Sequence, residues 1–379
     1  PEYEAEKPYH QTHQVINPPI HRNMYYMHHS LSLMFLLSWT ANVVFANKCF
    51  ADREELKEVV DEYINNDCTN VFAHTQVGNT CNNITQTYGW PMNSWCVGNV
   101  TSMRYLFSVK RTFNEDINAW DTGSVTNFEG MFNGCREFNS VLSSWNTSSA
   151  TTMKEMFSGA RSFNSNINNW DVSSVSSTRD MFWNALSFEG SDLTKWQTSS
   201  LTNIGGMFSG AESFVGNIST WDVSNVYSMY GTFRDATKFN CDLNAWDVSS
   251  VTSMNSLFYN AVSFNGSLSN WQFSTIEMNA DNMFNNASAF NQELCGWGDT
   301  FPYGSTDVFV KSGCDYQDDP QMDMQGPFCG SDCVPTTSPT SMPTKSPSTS
   351  SPSVSPTTVS PTTISPTQTS KLPSSPQVS

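Results

Sequence analysis

The chain is 379 residues long and carries a formal net charge of −17, from 18 Lys and Arg against 35 Asp and Glu. That balance argues against a nucleic-acid or anionic-membrane surface, because phosphate is repelled and no basic patch offsets the acidity. His74 is the sole histidine after residue 46, so Ser-His-Asp, Cys-His and multi-His metal arrangements have no place in the rest of the chain.

Residues 1–23 are polar and irregular, and read as an upstream extension foreign to the native protein, with Met24 or Met27 as the start. Residues 24–46 read as a signal peptide. Arg22, His28 and His29 precede an apolar run from Leu31 to Ala46, and Val44-Phe45-Ala46 suits cleavage before Asn47. The run is short for a spanning helix and broken by Ser38, Thr40 and Asn42, which predicts no stable membrane insertion once it is removed. Residues 47–94 read as an N-terminal cap. Asp52 followed by Glu55 forms a capping-box pattern, opening a helix with Leu56, Val59, Val60, Tyr63 and Ile64 on one face.

Residues 95–297 are organised by one period. Trp95, Trp120, Trp145, Trp170, Trp196, Trp221, Trp246, Trp271 and Trp297 follow one another at gaps of 25 or 26 residues. A Phe row, an aliphatic row and a Met-Phe pair such as Met156-Phe157 keep step with them. Self-similarity at this period marks stacked repeats. One unit cannot fold alone, since ordering it costs roughly 1.5 kcal/mol per residue and burying its Trp returns only about 5 kcal/mol. Each unit must therefore bury its apolar positions against a neighbour. The expected fold class is an α/β repeat solenoid of eight 25–26-residue coils. Each coil would hold one short parallel strand and one short helical turn, the latter from near-helical apolar spacing over Val175, Met181 and Phe182 behind Ser173-Ser174.

Two polar rows run beside the core. The asparagines after Phe (Asn114, Asn139, Asn164, Asn240, Asn265, Asn291) predict a ladder that satisfies backbone groups of adjacent coils, with a sugar-binding row as the alternative. Asp121, Asp171, Asp222 and Asp247 follow Trp and read as turn formers; as a calcium file they are interrupted by Asn146, Gln197 and Gln272. Off the core pattern stand Trp183, Tyr227, Tyr230 and Tyr259, candidate exposed aromatics for binding.

Eight of the ten cysteines flank the repeats: Cys49, Cys68, Cys81 and Cys96 before, Cys295, Cys314, Cys329 and Cys333 after. They read as two disulfides at each end, with the connectivity left open. Cys135 and Cys241 read as unpaired. Residues 298–334 thus form a Cys-rich C-terminal cap, and residues 335–379, nearly all Ser, Thr and Pro, a disordered stalk. Asn83, Asn99, Asn146, Asn217, Asn265 and Asn286 stand in Asn-x-Ser/Thr triplets and are candidates for N-glycosylation.

The run Trp246 to Met254, then Leu257-Phe258, Ala261 and Phe264-Asn265, resembles the BspA-type leucine-rich-repeat surface proteins. The resemblance spans about Trp95 to Trp297. It implies a secreted or surface-attached, right-handed leucine-rich-repeat-like solenoid in adhesion or recognition, and it transfers no catalytic residue. The expected function is recognition of cell-wall or surface glycans or surface proteins at the cell surface, with no cofactor, no metal and no catalysis. A solenoid enzyme using paired carboxylates and a passive structural wall component are the alternatives.

Overall fold

The computed structural model describes residues 47–273, 278–322 and 328–330. The upstream extension, the signal peptide, Cys333 and the stalk lie outside the described residues.

The first element among the described residues is α1 (Arg53–Asn65), whose apolar stripe of Leu56, Val59, Val60 and Tyr63 is buried. Its first turn is fixed by side chains. Asp52 accepts from the Glu55 amide at 3.0 Å, and Glu55 accepts from the Ala51 amide at 2.8 Å. A second helix, α2 (Thr80–Tyr88), was not expected from the sequence, because its nine polar-rich residues carry too little periodic signal. Asn79 caps its start and Gly89, at φ 97°, ends it. Disulfides Cys49–Cys96 and Cys68–Cys81 tie this region together. His74 sits between Thr85 Oγ1 of α2 at 2.6 Å and the carbonyl of Cys68 in the turn after α1 at 2.7 Å, as a strut between them. Phe50, Tyr63 and Tyr88 pack around Trp95, which in turn stacks on Trp120 at 6.4 Å.

From Val97 onward each residue lies over the one 25 or 26 positions later. Alternate amides carry the stacking: Met103 donates to the Asn127 carbonyl, Tyr105 to Glu129, Phe107 to Met131 and Val109 to Asn133, at 2.7–2.9 Å. The amides between them turn inward, Leu106 to Met103, Ser108 to Tyr105 and Lys110 to Phe107. The backbone polar groups along this stretch are thereby paired, as burial requires.

This pattern replaces the strand and helical turn expected in each coil. Among the described residues of the repeats, the coils meet through single-residue parallel bridges from Ser102↔Asn127 to Ser253↔Asn279; turns and irregular segments make up the remainder, with one 3-10 turn at Cys295–Trp297. The physical reason is the backbone sign. Two positions per coil hold left-handed φ, with Tyr105, Gly130, Glu155, Asp180 and Gly206 in one column and Val109, Gly134, Gly159, Asn184 and Gly210 in the other. Two left-handed residues four positions apart interrupt an extended strand and a right-handed helix alike, and close successive i→i+3 turns instead.

The interior is a set of columns. Phe132 stacks on Phe138 within its coil at 3.9 Å and on Phe157 of the next at 5.5 Å. From Trp145 on, the indole N–H of each column tryptophan donates to a carbonyl one coil back, as Trp145 to Ile117 at 3.0 Å and Trp221 to Leu193 at 3.0 Å. Thr232, which stands where most coils have Met, is buried and donates to Met229 and Ile204 carbonyls.

The segment read as a C-terminal cap begins by continuing the stack. Phe284 and Phe309 are parallel at 5.5 Å, and Asp307 and Lys311 extend both left-handed columns. The chain then reverses: Cys314–Cys329 closes a disulfide, and Cys329 pairs antiparallel with Glu293. Cys295 is also disulfide-bonded.

Candidate functional site

The stretch of each coil equivalent to Thr101–Lys110 carries the side chains that depart from the repeat. Trp183, Tyr227 and Tyr230 are 46%, 50% and 51% exposed. Tyr227 and Tyr230 share one coil, and Trp183 belongs to the coil two before it. Tyr259 differs from expectation. It is half-buried, because the Arg234 guanidinium lies over its ring at 4.7 Å. Arg234 therefore forms part of the surface that Tyr259 would otherwise present, and sequence reasoning had not singled it out. Its spacing of 25 residues from Tyr259 was the available signal.

Between the Trp183 and Tyr230 coils lies a coil with four small residues along this stretch: Gly205, Gly206, Ser209 and Gly210, all buried. Side chains of the preceding coil lean over it. A Cβ on Gly206 would come within 2.0 Å of Asp180 Oδ1, and one on Gly210 within 2.1 Å of Asn184 Oδ1. Glycine is required twice over here, by left-handed φ and by this approach. Burial pushes the Asp180 carboxyl above its ordinary value, against the pull of Arg179 at 3.0 Å. The result is a face with exposed aromatic rings at its edges, and a half-buried carboxylate, an amide and a guanidinium among them. Aromatic faces with convergent hydrogen-bonding groups suit a polar ligand with apolar faces.

Nearer the N-terminus the same stretch is closed by charge. Glu129 bonds Arg104 at 2.7 Å and Lys154 at 3.1 Å, and Tyr105 reaches Glu155 at 3.0 Å. Burial alone would raise the Glu129 carboxyl, but those two cations hold it below its usual value. Its hydrogen-bonding capacity is spent internally.

The polar rows are likewise engaged. Asn114, Asn139, Asn164, Asn240 and Asn265 each accept from the amide of the equivalent residue one coil on, at 2.8–3.1 Å. The row breaks at Glu189 and Val215, where a direct backbone bond of 3.1 Å takes over. Asp121, Asp171, Asp222 and Asp247 each accept from the amide two residues on. Among the described residues no group of three or more His, Cys, Asp or Glu could hold a metal ion. Cys135 is free and buried, its thiol pushed up to about 12 by burial, and Cys241 is free and half-buried.

A cavity of about 370 Å³ lies beside Cys81 in the N-terminal region, lined by Asn70, Phe72 and Asn79 and by none of these aromatics. Its amides Asn70 and Asn79 are occupied in capping the segments they precede, so it ranks below the coil face as a site. Among the described residues no helix is long and apolar enough to cross a membrane.

Stacked 25-residue units with one variable stretch define a repeat-containing protein. The chain matches the family described as "Mycoplasma protein of unknown function, DUF285" over residues 66–191 and 184–297, and belongs to that family, a repeat-containing one of surface type. No curated protein and no solved structure matches the chain.

Proposed function

We propose that this is a secreted or cell-surface recognition protein, a right-handed, leucine-rich-repeat-like solenoid of the BspA type that binds cell-wall or surface glycans or surface proteins through one face. The observation that carries the reading is the exposure of Trp183, Tyr227 and Tyr230 on the stretch where the coils depart from their own repeat. Large aromatics left half in water on a scaffold that buries its other aromatic columns cost solubility and contribute nothing to the core. Weak contacts repeated from coil to coil would add up to useful affinity. Binding, rather than glycoside hydrolysis by paired carboxylates, is favoured by the internal engagement of the repeated Asp and Glu side chains.

The test is retention of the full secreted chain on an array of wall polysaccharides and surface glycans, with released sugar assayed in parallel. Trp183→Ala and Tyr230→Ala should each weaken retention about tenfold or more, equivalent to roughly 1.4 kcal/mol, with the melting temperature unchanged. Release of sugar would replace this reading with the hydrolase. Retention that ignores both substitutions would move the binding surface elsewhere.

A further inference from the structure

The six Asn-x-Ser/Thr triplets are not spread evenly around the coil. Asn146, Asn217 and Asn265 occupy positions equivalent to Asp121, Asp116 and Asn114, on the part of the coil between the Phe row and the turn after Trp. Asn99 lies in the turn just before the variable stretch, and Asn83 is on α2. Only Asn286 falls in the stretch that carries the exposed aromatics.

Hydrogen bonding divides them the same way. In Asn146, Asn217 and Asn265 it is Oδ1 that is used, accepting from Ser148, from Ser219, and from Asn291 and Gln292 respectively. The amide nitrogen of each has no hydrogen-bond partner among the described residues, and all three residues are exposed. Asn83 and Asn99 are exposed, and their side chains make no hydrogen bond among the described residues. Asn286 is the reverse case. Its Nδ2 donates to Asn260 Oδ1 at 2.6 Å from a half-buried residue held at φ 63°. A sugar on that nitrogen would enter the variable face and leave a single N–H to keep the 2.6 Å bond in a half-buried setting.

We propose that Asn83, Asn99, Asn146, Asn217 and Asn265 are N-glycosylated, that Asn286 is not, and that the attached glycans leave the Trp183–Tyr230–Arg234 surface bare. In each transfer Nδ2 displaces the diphosphate of a lipid-linked oligosaccharide at its anomeric carbon. One C–N bond forms, one C–O bond breaks, and the amide proton passes to solvent. The modification retains Oδ1 as an acceptor, so the turn and ladder bonds survive it. The flank would be shielded and hydrated while the recognition face stays open. This inference rests on the surface reading above, since the donor is met only on the secretory route.

The experiment is expression of the full chain in a eukaryotic secretory host, followed by enzymatic glycan release in heavy-oxygen water and peptide mapping. Heavy aspartate is expected at the five named positions and absent from Asn286. Its absence at any of the five, or its presence at Asn286, overturns the assignment at that residue. A chain secreted bare overturns the proposal and leaves the surface reading standing; a chain retained in the cytosol overturns both. Iodide quenching tests the open face separately. The quenchable fluorescence that Trp183→Phe removes should be equal before and after glycan release, and a gain on release would place a glycan over the face.

Discussion

Each repeat tryptophan does two jobs, and they can be separated. Trp221 buries a large ring and also satisfies the Leu193 carbonyl through its indole N–H at 3.0 Å. Trp221→Phe keeps much of the apolar area but removes one of that carbonyl's two donors, leaving the Trp196 amide at 3.2 Å. The expected cost is about 1 kcal/mol, read as a lower midpoint in urea with the slope unchanged. The left-handed columns give a prediction of opposite sign. Most of their members are Gly, Asn or Asp, but Val109 holds φ 59° with a β-branched side chain that is exposed and has little to gain there. Val109→Gly should relieve roughly 1 kcal/mol of backbone strain, and a melting temperature that falls would contradict that account of the column.

The N-terminal helical region is an element whose stability depends on pH. The Ala51 amide, Lys48 and the Tyr88 hydroxyl together lower the Glu55 carboxyl to about 2. The folded value lies below the unfolded one of about 4.3, so its contribution is full above pH 4.3 and disappears as pH falls toward 2. Hydrogen exchange in α1 should accelerate across that window, and Glu55→Gln should flatten the response. The two disulfides in the same region should also differ. Cys49–Cys96 closes a separation of 47 residues and Cys68–Cys81 one of 13. Loop-closure entropy assigns them about 4 and about 3 kcal/mol. Serine replacement of the first pair should therefore lower the denaturation midpoint more than replacement of the second, and it would also unpin α1 from the first coil.

At the scale of the whole molecule, stacking makes stability a sum over neighbours, and it leaves two exposed ends. Each end is closed by a different device. Arg53 of α1 donates to the Arg104 carbonyl at 2.7 Å beside the first coil, and the Glu293↔Cys329 bridge runs antiparallel to the parallel bridges of the coils. Both deny another chain an open edge to pair with. Because residue i bonds to i+25, removing one whole unit preserves every column. Excision of residues 151–175 should yield a folded chain with a modestly lower melting temperature. Excision of about half a unit should place polar residues in the Phe column and yield no cooperative transition by circular dichroism. Comparable behaviour of the two deletions would mean that column register does not govern the stack.

The period was legible in the amino-acid sequence, because tryptophan, phenylalanine and methionine recur at one interval and few residue types substitute for them. The helix at Asp52–Glu55 was legible for a similar reason: capping and an apolar stripe are local signals. Off-pattern positions such as Trp183 and Tyr230 could be found by subtraction from the repeat. The backbone path within each coil could not. Val175, Met181 and Phe182 have near-helical spacing, yet the turns there are set by left-handed φ and by amides committed to the next coil, and both depend on a neighbour 25 residues away. Which cysteines pair, which asparagine nitrogens stay free and why Tyr259 lies beneath Arg234 were decided by the same contacts. Sequence determined which residues repeat; only tertiary stacking decided which of their polar atoms were already spent, and that is what separates a structural row from a surface able to bind.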